Sequence, residues 1–159
     1  MDYLWSPWRY RYVSRAGADP TCIFCEALKQ KQDAEALILF RGRHNFILLN
    51  RYPYTSGHAM IAPFEHGGAL EQAPAETLAE MMRLCQRLQS ALAAEYKPDG
   101  YNLGMNLGKV AGAGVADHLH MHVLPRWAGD SSFMTTVGET RIEPEELATT
   151  YARLKAHFR

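Results

Sequence analysis

The chain has 159 residues, of which 47% are hydrophobic and 11% aromatic, a composition typical of one globular domain with a sizeable core. Its 17 lysines and arginines balance its 17 aspartates and glutamates, so no net charge attracts nucleic acid or an anionic membrane. No apolar run reaches the roughly 18 residues of a membrane span, and the first residues do not form a signal peptide. Three cysteines do not make a disulfide framework. We therefore expect a cytoplasmic protein without nucleic-acid or membrane partners.

The chain is interpreted as one domain over residues 1–159. It divides into an N-terminal extension (1–20), a core (21–128), and a C-terminal segment with a helix (129–159). The extension contains an aromatic and basic run, Trp-Ser-Pro-Trp-Arg-Tyr-Arg-Tyr, at 5–12. Such a run either stacks on bases or packs on protein. We expect it to pack on its own domain or on a partner subunit.

Cys22 and Cys25 form a Cys-x-x-Cys pair that follows an irregular segment. The pair is redox-active, supplies half of a metal site, or occurs by chance. A thioredoxin-like pair follows a strand and opens a helix within a βαβ unit, and no such strand is predicted upstream. The redox interpretation is therefore weak, while zinc requires two further ligands from elsewhere in the chain.

The next segments predict a short helix followed by three strands. The helix is expected over about 26–31, and the mostly apolar strands over 37–40, 45–49 and 58–63. Short strands joined by compact turns indicate an antiparallel meander.

Apolar side chains then recur at three- and four-residue intervals, which predicts one long helix from Pro74 to Tyr96. Pro74 suits the first turn, and Pro98 the end. We expect the methionines and Cys85 to pack in the core, with Cys85 an inert thiol. The predicted apolar stripe comprises Leu78, Met81, Met82, Cys85, Leu88, Leu92 and Tyr96.

Two further elements complete the predicted α+β fold. A strand is expected over 100–108, and its pairing with the histidine-rich segment that follows would bring Asn106 near the histidines. A closing helix is expected over 144–158. The prediction is an antiparallel sheet of about five strands with one long helix and a C-terminal helix.

Residues 118–124 have the sequence His-Leu-His-Met-His-Val-Leu. A half-buried strand would place His118, His120 and His122 together on its solvent face and the apolar residues on the other. The outer two would lie about 13 Å apart on a straight strand, too far for one zinc with Zn–N bonds of about 2 Å. At least one histidine must therefore serve another purpose.

A glycine-rich run from Gly108 to Gly114 leads into this segment. Glycines allow backbone N–H groups to approach an anionic oxygen closely. A neutral imidazole can act as a nucleophile or an acid–base group near neutral pH. A phosphate held by the loop above the histidines is a consistent site. The alternative is a polar strand face with three unrelated histidines.

The pattern His-φ-His-φ-His-φ-φ, where φ is apolar, resembles the motif of the histidine triad (HIT) superfamily, whose members hydrolyse or transfer nucleotides at the α-phosphate. The Trp-x-Pro-Trp-Arg opening, Asn-Leu-Gly before the loop and Pro-Arg-Trp-x-Gly-Asp after the triad are similar to the branch of dinucleoside polyphosphate phosphorylases and hydrolases. The resemblance covers nearly the whole chain and implies a HIT-like fold.

The resemblance implies that His120 is the nucleophile and forms a transient nucleotidyl-histidine. Its second ring nitrogen would stay protonated against a backbone carbonyl of the same strand. With an ordinary imidazole pKa of about 6.5, activity should then fall in acid. The expected catalytic residues are His58, Asn106, His120 and His122. The expected substrate-binding residues are Asn50, Asn106, Lys109, Gly112, Gly114 and His122.

The resemblance also implies a structural zinc held by Cys22, Cys25, His66 and His118, and no organic cofactor. This set agrees with the distance argument, because it removes His118 from direct chemistry. Metal-free, reduced thiols are the alternative.

One departure concerns the loop before the triad. Many relatives have Gln, Ser or Thr there, whereas residues 111–117 lack all three. Backbone N–H groups or Lys109 must then contact the phosphate.

The expected function is cleavage of dinucleoside polyphosphates such as diadenosine tetraphosphate, by hydrolysis or phosphorolysis. A nucleoside phosphoramidate hydrolase, a non-catalytic nucleotide-binding module and a structural zinc protein are the alternatives. The resemblance implies a homodimer or a higher homo-oligomer.

Overall fold

The structure is a computed structural model that describes residues 21–130 and 145–158. The aromatic run at 5–12 lies outside these residues. The described strands are β1 (Ile38–Arg41), β2 (Asn45–Leu49), β3 (Ala59–Pro63), β4 (Gly100–Gly104) and β5 (Met121–Arg126). They form one antiparallel sheet in the order β1-β2-β3-β5-β4. The predicted meander of the first three strands and the five-stranded sheet are confirmed.

Three α-helices are described: α1 (Ile23–Lys29), α2 (Ala75–Tyr96) and α3 (Leu147–Lys155). Single 3₁₀ turns occur at Leu70–Gln72, Lys109–Ala111 and Ala156–Phe158. Within the described ranges, no helix is long and apolar enough to cross a membrane. The long helix and the C-terminal helix, together with the sheet, confirm the predicted α+β class. The predicted start of the last helix at 144 lies outside the described residues.

The sheet is covered on both faces, which explains why β2 and β3 are apolar almost throughout. On one face, side chains such as Ile47 and Ile61 pack against α2 and α3. On the other face, Phe46 and Met60 pack in a smaller cluster with Phe24 of α1. Alternate residues of a strand point to opposite faces, so a strand buried twice must be apolar at successive positions. The α1 face is the one that carries the candidate site.

Helix α2 confirms the long amphipathic helix but corrects part of its stripe. Pro74 is the N-cap, and Lys97 ends the helix in the left-handed conformation. Cys85 is buried as expected, whereas Met82 is 53% exposed and Leu84 is buried. Met82 lies about 100° around the helix from Met81 and points to solvent, so the prediction that it packs in the core is wrong.

Three predicted boundaries also differ from the structure. Helix α1 begins at Ile23, so Cys22 is its N-cap and Cys25 lies in its first turn. Strand β4 ends at Gly104, and the positive φ of Gly108 turns the following chain away. Strand β5 begins at Met121 and not at residue 118, because the Leu119 N–H donates to the Gly67 carbonyl, 2.7 Å away, outside the sheet.

Candidate active site and metal centre

His122 lies on β5, an interior strand with a neighbour on each side. It pairs with Met60 on β3 and with Gly104 on β4. The sequence predicted that pairing with the triad segment would bring Asn106 near the histidines. Regular β4–β5 pairing ends at Gly104, and Asn106 would lie opposite His120 only if that register continued for two more residues. Pairing on both sides fixes the backbone of His122 relative to β3 and β4.

The His120 ring is held by its own backbone neighbour. Its Nδ1–H donates to the carbonyl oxygen of His118, 2.8 Å away, which is the type of acceptor expected from the sequence. Its Nε2 makes no hydrogen bond within the described residues. Among them, Asn45 Oδ1 is the only buried side-chain nitrogen or oxygen without a partner, so Nε2 reaches solvent. The nitrogen that faces solvent carries a lone pair.

The opposite tautomer is imposed on His122. The Tyr54 N–H donates to Nδ1 of His58 at 3.1 Å, so the proton of His58 lies on Nε2. That Nε2–H donates to Nδ1 of His122 at 2.9 Å. The proton of His122 is therefore on Nε2, and the two neighbouring rings, with centroids 5.0 Å apart, present a lone pair and an N–H.

Asn50 supports this arrangement from the end of β2. Its Nδ2 lies 3.4 Å from each ring nitrogen of His58, and its Oδ1 accepts the Tyr52 N–H at 3.0 Å. The sequence placed Asn50 and His58 in the site only by resemblance. In the structure, His58 lies against His122 and Asn50 lies against His58.

The prediction that all three imidazoles are exposed to solvent is wrong for the His118 and His120 rings, which are buried, although Nε2 of His120 reaches solvent. His118 is 1% exposed and His120 is 6% exposed. Phe24 packs on both rings, with centroid distances of 5.0 and 4.9 Å. Sequence reasoning did not identify Phe24 as part of the site. Its position between the two cysteines was the available signal, because a metal shared with His118 would bring that turn onto the histidines.

Both candidate catalytic imidazoles are kept neutral. Burial lowers the pKa of His122 to about 4, and the charge of neighbouring His120 adds to the effect. Burial also lowers the pKa of His120, although the hydrogen bond to the His118 carbonyl opposes this. The ordinary pKa of about 6.5 expected from the sequence is therefore too high for either ring.

The glycine-rich loop has the backbone freedom expected of it at two positions. Gly108 and Gly112 have φ values of 83° and 91°, which favour glycine. Between them, Lys109 begins the 3₁₀ turn and is exposed. Within the described part of the chain, the histidines make no hydrogen bond with the side chains of Lys109 and Asn106 or with the backbone of the loop glycines. Their role in binding substrate therefore stays a prediction.

The four predicted metal ligands converge. The donor atoms of Cys22, Cys25, His66 and His118 all lie within 4.8 Å of one another, and they could hold a metal ion. The Cys22 Sγ–His118 Nδ1, Cys25 Sγ–His66 Nδ1 and Cys25 Sγ–His118 Nδ1 distances are 3.2, 3.4 and 3.7 Å. A tetrahedral zinc with bonds of about 2.3 Å to sulfur and 2.0 Å to nitrogen requires about 3.5 Å between such donors.

The surroundings of the cluster also suit a metal. The Nε2–H of His118 donates to the Pro63 carbonyl at 2.9 Å, which leaves Nδ1 free to bind metal and is a common outer contact of ligating histidines. None of the cysteines in the described chain forms a disulfide. Two sulfurs and two nitrogens complete a tetrahedral shell, which is typical of structural zinc sites.

Comparison with known proteins agrees with this geometry. The HIT domain family matches residues 31–129. The chain is 37% identical to an AP-4-A phosphorylase of Mycobacterium tuberculosis over 158 residues, covering 94% of this chain and 80% of that protein. It is 36% identical to the adenosine 5'-monophosphoramidase HNT1 of Saccharomyces cerevisiae over 111 residues, covering 70% of this chain and 66% of that protein.

A solved structure shares the fold. It is a Zn-bound histidine triad family protein from Mycobacterium smegmatis, with a TM-score of 0.70 and 30% identity, covering 86% of this chain and 92% of that one. The family match spans more than half of the chain, and the architecture agrees with it. The chain therefore belongs to the HIT domain family.

Proposed function

We propose that this protein cleaves the phosphoanhydride of dinucleoside polyphosphates such as diadenosine tetraphosphate, through a nucleotide bonded to His120. The observation that carries the proposal is the pair of opposite tautomers on His120 and His122. One ring offers a lone pair for attack, and the other offers an N–H for a phosphate oxygen. The similarity to an AP-4-A phosphorylase supports this substrate class.

In the first step, Nε2 of His120 attacks the α-phosphorus of the nucleotide. An N–P bond forms, the P–O bond to the leaving phosphate chain breaks, and the leaving oxygen takes the bonding electrons. The ring gains positive charge, which the Nδ1–H bond to the His118 carbonyl stabilises. In the second step, water or inorganic phosphate attacks the same phosphorus, the N–P bond breaks, and His120 returns to its neutral form.

His122 would donate its Nε2–H to an oxygen of the reacting phosphate, where negative charge develops. His58 acts through His122, because its Nε2–H occupies Nδ1 of that ring and keeps the proton on the other nitrogen. Asn106 would donate a neutral amide N–H to the phosphate or the leaving group. Asn50 would lie near the ribose.

The loop would complete the phosphate site. Backbone N–H groups around Gly112 and Gly114 are proposed to bind the non-bridging oxygens. Lys109, exposed at the start of the 3₁₀ turn, supplies the cationic side chain of the loop. These contacts replace the hydroxyl or amide that the loop lacks.

A structural zinc would be held by Cys22, Cys25, His66 and His118. It would cross-link distant segments of the chain and would not activate water. It would tie the start of α1 and the turn after β3 to the histidine segment. No organic cofactor is needed, since His120 itself carries the nucleotide.

We propose that residues 1–159 form one domain that assembles as a cytoplasmic homodimer or a higher homo-oligomer. Strand β4 is an outer strand of the sheet. Leu103, Leu107 and Val110, on and after β4, are 44%, 44% and 105% exposed, which suits a subunit interface. Free cysteines suit a reducing compartment.

A nucleoside phosphoramidate hydrolase is the second candidate, favoured by the similarity to a monophosphoramidase. The neutral His122 N–H could equally serve an amine leaving group. The two candidates share His120 and the same intermediate, so only the leaving group separates them.

The test is incubation of the zinc-loaded protein with diadenosine tetraphosphate, with and without inorganic phosphate, and identification of the products by mass spectrometry. ADP plus ATP formed only with phosphate indicates phosphorolysis, whereas AMP plus ATP without phosphate indicates hydrolysis. Rapid quenching in base and intact mass should reveal the nucleotidyl adduct. Turnover of adenosine phosphoramidate alone would favour the second candidate, and turnover without any adduct at His120 would contradict both.

A further inference from the structure

Two adjacent glycines, Gly67 and Gly68, lie against the chain that leads into the histidine triad. The Gly67 carbonyl accepts the Leu119 N–H at 2.7 Å. A Cβ added at Gly68 would lie 2.2 Å from the carbonyl oxygen of Ala116 and 3.1 Å from Cα of the following residue. A Cβ added at Gly67 would meet no atom within 4 Å. Gly68 therefore has no room for a side chain, whereas Gly67 does.

The requirement for glycine at position 68 is one of space and not of backbone conformation. Gly68 is not among the described glycines with positive φ, so its dihedral angles suit other residues. The obstruction at 2.2 Å is a backbone oxygen, which cannot swing aside as a long side chain can. Any side chain at Gly68 must move the backbone at Ala116.

We propose that Gly68 is a positioning residue for the phosphate-binding loop, and this inference rests on the proposed function. Its missing side chain lets the turn after β3 contact the loop end at Ala116. The Gly67–Leu119 hydrogen bond closes the same contact two residues before Met121, where β5 begins. Together, these two contacts set the distance between the loop and His122 on β5.

A side chain at Gly68 would displace the loop end at Ala116 and so weaken substrate binding. The loop end at Ala116 is only two residues from Gly114 and four from His120. Relieving a 2.2 Å approach to a normal contact needs a displacement of about 1 Å, and displacements of that size reduce the efficiency of positioned groups by as much as about 100-fold. Because the loop would bind phosphate before and during reaction, its displacement weakens substrate binding most directly.

The test compares Gly68→Ala with Gly67→Ala in the zinc-loaded protein. Both substitutions add one methyl group and restrict the unfolded chain equally. We expect Gly68→Ala to raise KM for diadenosine tetraphosphate about tenfold or more, with kcat within about threefold, and to weaken AMP binding by the same factor. Gly67→Ala should stay within about twofold on all three constants, and both variants should retain one zinc per chain.

A purely structural role for Gly68 would lower Tm and leave KM and AMP affinity of the folded, zinc-loaded molecules unchanged. That result, or an equal loss in Gly67→Ala, overturns the inference. AMP binding is measured by calorimetry, so wild-type protein that binds AMP but turns over no substrate would contradict the proposed function and not the positioning role.

If Gly68→Ala does not fold, hydrogen exchange in the wild-type protein supplies the second measurement. The Leu119 amide should exchange as slowly as the amides of β5, because the glycine contact holds it. Exchange as fast as that of an open loop amide would overturn the inference.

Discussion

The proposed metal centre and the proposed catalytic pair, His120 and His122, use the same kind of side chain in opposite ways. In the metal centre, His66 and His118 turn Nδ1 toward the cysteine sulfurs. In the proposed catalytic pair, Nδ1 of His120 and of His122 is occupied by protein groups, and Nε2 is the nitrogen that we propose contacts substrate. The partner of one ring nitrogen thus decides what the other can do. Histidines only two residues apart can therefore serve as a ligand and as a nucleophile.

Of the substitutions considered, His120→Ala should have the largest effect, and that effect should fall on kcat alone. Removal of the attacking nitrogen should lower kcat by about 10⁴-fold or more, while zinc content and Tm stay close to those of the wild type. Steady-state turnover, metal analysis and thermal unfolding check the three quantities. His157→Ala, at an exposed site where the ring contacts Glu95, is the matched control. Retention of activity above about 1% would remove His120 from the nucleophile's role.

Cys22→Ser should break the other cluster. Loss of one donor should release the zinc and lower the free energy of unfolding by about 3 kcal/mol or more, which corresponds to a fall in Tm of about 10 °C. Thermal unfolding with parallel metal analysis measures this. Cys85→Ala removes a buried thiol that is not a ligand and should leave the zinc bound. A Cys22→Ser protein with unchanged metal content would contradict the assigned ligand set.

Acid should act on the catalytic pair at lower pH than on an ordinary imidazole. The folded-state pKa of His122 is about 4, below the value of about 6.5 in an unfolded chain. As pH falls, the unfolded chain is protonated first. The stability due to neutral His122 is thus fully present above pH 6.5 and is lost toward pH 4, by about 3 kcal/mol at pH 4.

The measurement is the free energy of unfolding at several pH values for the wild type and for His122→Gln, with zinc content followed throughout. The difference between the two proteins should shrink or reverse as the pH falls from 7 toward 4. The groups that face His122 are His120, His58 and the Tyr54 ring. Activity should persist to a lower pH than an ordinary imidazole allows, because burial lowers the pKa of His120 as well. A sharp fall centred at pH 6.5 would contradict the neutral pair.

His58→Phe should have the smallest effect. It keeps an aromatic ring but removes the N–H that fixes the His122 tautomer. We expect kcat to fall roughly 10- to 100-fold with no loss of zinc. His58→Gln, whose amide N–H can replace the imidazole N–H, should recover part of kcat. Equal kcat in His58→Phe and wild type would show that His122 holds its tautomer without His58.

The sequence was sufficient where the information is local. The alternation at 121–123 predicted which side chains of β5 face the core, and the spacing of apolar residues predicted α2. Met82 was misplaced because two adjacent methionines fit the same periodicity, and only the packing of α2 on the sheet selects one of them. The four metal-binding side chains followed from resemblance, and their donors do converge.

What sequence could not supply depends on groups far apart in the chain. The tautomer of His122 is decided by the Tyr54 amide through His58, which is 64 residues away. The burial of His120 depends on Phe24, whose contact requires α1 to fold over the sheet. The strand start at Met121 depends on the Gly67 carbonyl. The spacing of apolar residues along the chain cannot predict contacts between such distant groups.

The Nδ1–H of His120, the proposed nucleophile, donates to a main-chain oxygen, that of His118. Mutation can exchange the side chain at this position but cannot delete its oxygen. A descendant of this protein could therefore lose the imidazole at 118, and the metal with it, while its nucleophile kept the same protonation pattern. The proposed zinc site and the proposed catalytic step could therefore be lost independently in evolution, although His118 contributes its side chain to one and its backbone to the other.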